Sequence, residues 1–215
     1  IAGICERVGA DVEDVRRGIG SDNRIGYQFI NPGIGYGGSC FPKDVKALVN
    51  ASRAAGHDPV LLDAVEAINE RQKRTLEKKI TDYFGGDIRG RRFAIWGLSF
   101  KPETDDMREA PSLVIIDGLL NAGASVSAYD PKAMTEAQRY LGTRDGLVYA
   151  SGNYEACEGC DALVVVTEWS YFRNPDFARI KEALKTPVIF DGRNVYLPET
   201  MRAFGFDYVA VGREP

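Results

Sequence analysis

Cys40 has the surroundings that most resemble a reactive site. It ends the glycine-rich run Gly33-Ile34-Gly35-Tyr36-Gly37-Gly38-Ser39, and Phe41-Pro42-Lys43-Asp44 follows it. Proline suits the first turn of a helix, so Pro42 predicts a helix over about 42–55 that Gly56 ends. The thiol then stands at or beside the N-cap, where unpaired backbone N–H groups and the helix dipole favour an anion. Lys43 adds a positive charge. Such surroundings favour the thiolate, the nucleophilic form of cysteine. Asp44, just beyond, is placed to hold a water or take a proton. A small buried cysteine with no chemical role is the alternative that these local residues leave open. The run also contains a formal G-x-G-x-x-G. A dinucleotide fingerprint needs a buried strand running into its first glycine. Here Asn31-Pro32 precedes it, and Tyr27–Ile30 is too short for a central strand. The glycines are read instead as letting backbone come close to a ligand.

Other chemistry-bearing residues are scattered downstream. In the segment 97–109, Lys101 and Arg108 could bind phosphate or hydroxyl groups. A solvated charged loop is the plain alternative. Asp130, in Tyr129-Asp130-Pro131, could meet a ribose or simply cap the next helix. Arg193, in Asp191-Gly192-Arg193, is either a ligand contact or a turn residue. Cys157-x-x-Cys160 lies between a predicted helix and the strand after it, the reverse of the thioredoxin order, and no second pair accompanies it. These two cysteines are read as structural. The single histidine, His57, leaves a His-based triad or a His-rich metal site short of residues, and no metal is expected.

These residues need elements to position them. The 215 residues, 44% hydrophobic and 27% charged, have an ordinary globular balance and suffice for one large domain or two small ones. A net charge of −4 argues against a general nucleic-acid binder. No apolar run approaches the ~20 residues of a membrane span. Four cysteines form no disulfide framework, and with no signal-like segment a reducing cytoplasm is expected.

Residues 1–18 read as short helices broken near Gly9-Ala10-Asp11, with Asp11 as N-cap and Asp14 completing a weak capping box. Residues 20–39 read as a loop. Pro59 opens a helix to about Phe84 on the stripe Leu61, Val65, Ile68, Leu76, Ile80 and Phe84, with Gln72 a polar interruption. That helix would be roughly 39 Å long. Such a stripe suits a domain link, a partner subunit or a core. Gly85-Gly86 marks a boundary. Strands are predicted at 93–96, 126–129, 162–166, 188–190 and 207–211, and helices at 110–122, 133–140, 153–158 and 176–184. Alternation of this kind implies a parallel doubly wound sheet with ligands beyond the strands' carboxyl ends. The expected fold is therefore α/β: a long-helix central segment, 1–84, carrying the cysteine loop, followed by a Rossmann-like doubly wound parallel sheet domain, 85–215.

Read together, the motifs resemble the UDP-glucose/GDP-mannose dehydrogenase family. Gly35-Tyr36-Gly37-Gly38-Ser39-Cys40-Phe41-Pro42-Lys43-Asp44 resembles its catalytic-cysteine signature, and Phe100-Lys101-Pro102 with Thr104-Asp105-Asp106-Met107-Arg108-Glu109 its second signature. Tyr129-Asp130-Pro131, Thr167-Glu168-Trp169 and Phe190-Asp191-Gly192-Arg193 match smaller motifs, so the resemblance covers essentially the whole chain. It implies oxidation of a nucleotide-sugar C6 alcohol to a carboxylate with two NAD⁺. Cys40 attacks the intermediate aldehyde, the thiohemiacetal loses a second hydride, and the thioester is hydrolysed, with Asp44 assisting. It further implies that Lys43 and Arg108 contact NAD. Phe29, Ile30, Asn31, Pro32, Gly33 and Gly37 hold the UDP-sugar, Lys101 and Arg193 contact it, and Arg24 reaches the substrate of a neighbouring subunit. A homodimer through the helix at about 59–84 is expected. Met107 is more like members acting on UDP-glucose; GDP-mannose and UDP-N-acetyl sugars are the alternatives. The family carries an N-terminal NAD-binding domain that this sequence lacks. The chain is thus read as a C-terminal portion, inactive in isolation, where it would act as a nucleotide-binding or dimerisation module.

Overall fold

A computed structural model describes residues 1–213. Two short helices, α1 (Ala2–Val8) and α2 (Val12–Gly20), precede a long loop. Next come α3 (Phe41–Ala54), α4 (Val60–Lys73) and α5 (Thr75–Tyr83). The remainder alternates: β1 (Arg92–Trp96), α6 (Pro111–Asn121), β2 (Ser125–Tyr129), α7 (Met134–Leu141), β3 (Leu147–Tyr149), α8 (Asn153–Cys157) and β4 (Ala162–Val165). After a 3-10 turn at Ser170–Phe172 follow α9 (Phe177–Ala183), β5 (Val188–Asp191), α10 (Pro198–Phe204) and β6 (Asp207–Ala210). The six strands are all parallel in the order β3-β2-β1-β4-β5-β6, so the order reverses between β1 and β4. Helices cover both faces, which is why Ala162–Val165 and Val188–Asp191 are buried throughout rather than alternating.

The expected sheet is present, with additions. Strand β3, three residues at an edge, is too short to carry a pattern. Helix α10 starts on Pro198, the same signal that marks α3. Asp11 caps α2 by accepting from the Glu13 N–H at 2.8 Å, worth about 1 kcal/mol. The reciprocal bond from Asp14 does not form, because Asp14 pairs with Arg17. The N-terminal helices are tied to the end of the sheet. Val12 N–H donates to the Gly212 carbonyl (2.9 Å), Gly212 N–H to Glu6 Oε1 (2.7 Å) and Arg213 Nε to Asp11 Oδ1 (2.9 Å).

The single helix from Pro59 to Phe84 is corrected. It is two helices meeting at Arg74, where φ is −95°, ψ is −6° and the N–H donates to Arg71, three residues back. The reason is burial. Leu76 and Ile80 of α5 are fully buried in the core with Phe93, Ile95 and Ile115. In α4 the buried residues are Asn69 and Lys73, while Leu61 is 76% exposed and Ile68 53%. A straight helix on one stripe could not serve both arrangements.

Candidate active site

The glycine-rich loop is held from three sides. Helix α4 supplies the first. Tyr36 N–H donates to Asn69 Oδ1 (2.9 Å), and Asn69 Nδ2 donates back to the Tyr36 carbonyl (3.1 Å). The Tyr36 hydroxyl donates to Glu66 (2.8 Å); burial, and then this bond, push it up to about 12, so it remains a donor at neutral pH. Gln72 Nε2 donates to the Gly33 carbonyl (2.8 Å). Residues 66, 69, 72 and 73 share one helix face. Gln72 is therefore part of a polar face with a task, and no interruption.

The sheet supplies the second side. Ile34 N–H donates to the Gly192 carbonyl (3.1 Å), and the Ile34 side chain is fully buried in the core. Arg193 brackets the loop to the residue just after β4: its Nη1 donates to the Gly35 carbonyl (3.1 Å) and its Nε to the Val166 carbonyl (3.0 Å). Glu168 lies 3.4 Å from the same Nε. Burial lowers the Arg193 guanidinium from its ordinary value, with Glu168 opposing. The third side is the 108–109 peptide. Gly38 N–H donates to the Arg108 carbonyl (2.7 Å). A Cβ on Gly37 would strike the Glu109 carbonyl, and one on Gly38, which has φ +94°, would lie 2.7 Å from the Phe100 ring. Both positions require glycine because protein, rather than a ligand, fills the space.

The held loop delivers Cys40 to the N-cap of α3, as its spacing predicted, and leaves the thiol exposed. Its Sγ is 3.7 Å from Ser39 Oγ. Lys43 and Asp44 follow in the first turn, both exposed and 3.3 Å apart. Beside them opens a cleft of about 570 Å³ with Ser39, Lys43 and Lys46 on one wall and Arg108 and Glu109 on another. Leu113 and Val114 of α6 and Pro42 add apolar surface, and Lys73 and Tyr140 also line it. Arg108 is held by Asp106, with Nε–Oδ1 2.9 Å and Nη2–Oδ2 2.8 Å. That bond raises the guanidinium and holds the Asp106 carboxyl below its usual range.

The structure thus gathers Gly33, Gly37, Cys40, Lys43, Asp44, Arg108 and Arg193 around one loop and one cleft. Lys101 is exposed, its Nζ 5.3 Å from the Phe100 ring that packs on Gly38. Arg24 stands apart, 88% exposed and paired with Asp22. Phe29 is 87% exposed on the same outlying stretch, while Asn31 reaches back only to the Gln28 carbonyl. Sequence reasoning overlooked Lys46, Glu66, Asn69, Lys73 and Glu109. For the α4 residues the signal was there, as polar residues at helical spacing.

Comparison with known proteins agrees along the chain. Residues 1–71 match the central domain, and residues 94–198 the UDP binding domain, of the UDP-glucose/GDP-mannose dehydrogenase family. The chain belongs to that family. It is 51% identical to a UDP-glucose 6-dehydrogenase of Pseudomonas aeruginosa over 99% of this chain and 48% of the relative. It is 48% identical to one from Rhizobium meliloti, again over 99% of this chain and 48% of the relative. A solved UDP-glucose dehydrogenase from Pyrobaculum islandicum, 31% identical, superposes with a TM-score of 0.84 over 98% of this chain and 45% of that one. The chain spans about half the length of the curated relatives it matches.

Other family-motif residues are structural knots. Asp130 accepts from the Leu98, Ser99, Lys132 and Ala133 N–H groups and from Trp169 Nε1, which leaves little capacity for a ribose. Asp191 likewise accepts from Arg193, Val195 and Tyr196 N–H groups and the Tyr208 hydroxyl. Met107 is buried in the core. Cys157 and Cys160 are fully buried against Trp96 and Leu163, as structural cysteines should be, and burial pushes the Cys160 thiol up to about 11.

Proposed function

We propose that this chain supplies the cysteine-bearing and nucleotide-sugar-binding half of an NAD-dependent UDP-glucose 6-dehydrogenase. The observation that carries the reading is Cys40: an exposed thiol at a helix N-terminus, ending a loop fixed from three sides beside a cleft lined by Lys43 and Arg108. The relatives named UDP-glucose 6-dehydrogenase support the choice of sugar. Met107 adds nothing to that choice, since it faces the core.

Cys40 Sγ bonds to C6 of the aldehyde and keeps it from leaving as a free product. The adduct retains the hydrogen that the second oxidation removes. Asp44, one turn along α3, orients the water that cleaves the resulting thioester. Phe29, Ile30, Asn31, Pro32 and Gly33 hold the UDP-sugar together with Lys101. Gly37 and Arg193 serve it indirectly by fixing the loop. The cleft fits NAD: Lys43 and Arg108 offer charge for phosphates, and Leu113 and Val114 offer apolar surface for a ring. NAD⁺, when bound, supplies the acceptor for the hydrides removed from C6.

The exposed Leu48 of α3 and Leu61 and Ile68 of α4 support a homodimer through these helices; Arg24 is assigned to a neighbour's substrate on the family resemblance. Four cysteines, all unpaired, suit the cytoplasm. Among the described residues no helix is long and apolar enough to cross a membrane.

Initial rates of NAD reduction by the whole protein test the substrate. UDP-glucose is expected to be preferred over GDP-mannose and UDP-N-acetyl sugars; preference for another sugar overturns the assignment. The 215-residue chain alone is expected to reduce no NAD while retaining UDP binding by calorimetry.

A further inference from the structure

Glu109 touches three walls of the cleft beside Cys40. Its backbone sits at φ 53°, in the left-handed region that glutamate rarely adopts. There its carbonyl closes on Gly37, and the preceding carbonyl accepts the Gly38 N–H. Its side chain lies between two lysines. Oε1 is 2.8 Å from Lys46 Nζ on α3, and Oε2 is 3.3 Å from Lys73 Nζ on α4. Lys73 is 2% exposed and also holds Glu70 at 2.8 Å. Arg108, the preceding residue, lines the same cleft. A strained backbone persists only while its surroundings hold it. Here the holding groups are the loop and helices that frame the thiol.

We propose that Glu109 is a positioning residue, tying the loop that ends in Cys40 to α3 and α4 and so fixing the thiol at the edge of the cleft. The inference rests on the reading of Cys40 as the nucleophile. The charged and titratable groups that line the cleft are Lys43 and Lys46 from α3, Glu70 and Lys73 from α4, Arg108 beside Glu109 itself, and Tyr140 from α7. Removing the carboxylate leaves both lysines without their shared anion and the loop without its side-chain anchor.

The test is alkylation of Cys40 by iodoacetamide in the 215-residue chain as a function of pH, read by peptide mapping. Cys5, Cys157 and Cys160 are buried and serve as slow internal references. Glu109→Gln is expected to move the midpoint of the Cys40 profile down by about half a pH unit or more, as Lys46, left unopposed, favours the thiolate. Glu109→Asp, which restores the charge and tolerates the left-handed backbone, is expected to bring the midpoint back toward wild type. A Glu109→Gln protein that is folded and gives the wild-type profile overturns the proposal. If that variant does not fold, Lys46→Met takes its place: removing a cation should raise the midpoint, and an unmoved midpoint overturns the proposal equally. In the whole protein, Glu109→Gln should lower kcat by about tenfold with KM little changed; an unchanged kcat contradicts positioning. Failure of the nucleophile reading looks different: Cys40→Ala would then keep its activity, whatever the Glu109 profiles show.

Discussion

Helices α4 and α5 adjoin in sequence and follow one apolar stripe, yet they are used in opposite senses. Helix α5 turns Leu76 and Ile80 into the core of the sheet domain. Helix α4 turns Leu61 and Ile68 outward and buries Asn69 and Lys73 against the cysteine loop. One half of the stripe is packing. The other half is free for a partner, while the polar face behind it sets the site. An apolar periodicity shows that a helix has two faces; what each face meets depends on the rest of the fold.

Substitutions can separate the two halves. The largest effect is expected in α5: Ile80→Ala empties a fully buried position and should cost about 2–5 kcal/mol in denaturant unfolding. A cost close to zero would mean that α5 does not pack as described. Next is Asn69→Leu in α4, which strips both partners from the half-buried Tyr36 backbone and should cost about 1–3 kcal/mol. Amide exchange should quicken in residues 34–38 before it does in the sheet. Uniform quickening would show that α4 is only another core helix.

A smaller contrast concerns two acids. Lys46, and then Lys73, hold the Glu109 carboxyl below its usual range. Its contribution is therefore present above the ordinary carboxylate value and lost as pH falls through the depressed one. Burial raises Glu77 of α5, whose carboxylate crowds Gly118 of α6. Its contribution has the opposite sign: present below the ordinary value and lost as pH rises through the raised one. Glu109→Gln should thus lower Tm at pH 7 and Glu77→Gln raise it, each by a few degrees at most. Shifts of the same sign would undo the contrast. The smallest effect is expected for Leu61→Ser, within about 0.5 kcal/mol for the folded subunit. Sedimentation should nevertheless show the proposed dimer weakened; an unchanged dimer removes α4 from the proposed interface.

Much of this was legible beforehand. Buried parallel strands announce themselves as apolar runs such as Ala162–Val165, and prolines 42 and 111 stand at helix starts. The glycine loop and Cys40 at the N-cap follow from residue types and spacing. The break at Arg74 was not legible, because no glycine or proline marks it and only the competing burial of α4 and α5 forces it. Glu109 was hidden too, since nothing in its type suggests a left-handed backbone. The glycines at 37 and 38 were rightly singled out but misread in part: their space is taken by Glu109 and Phe100.

The most direct measurement is steady-state NAD reduction by the whole protein carrying Cys40→Ala, with UDP-glucose as substrate. Loss of the proposed covalent nucleophile should lower kcat by about a thousandfold or more while UDP-glucose still binds. Turnover to UDP-glucuronate at a rate near wild type would contradict the role assigned to Cys40 and to the loop that presents it.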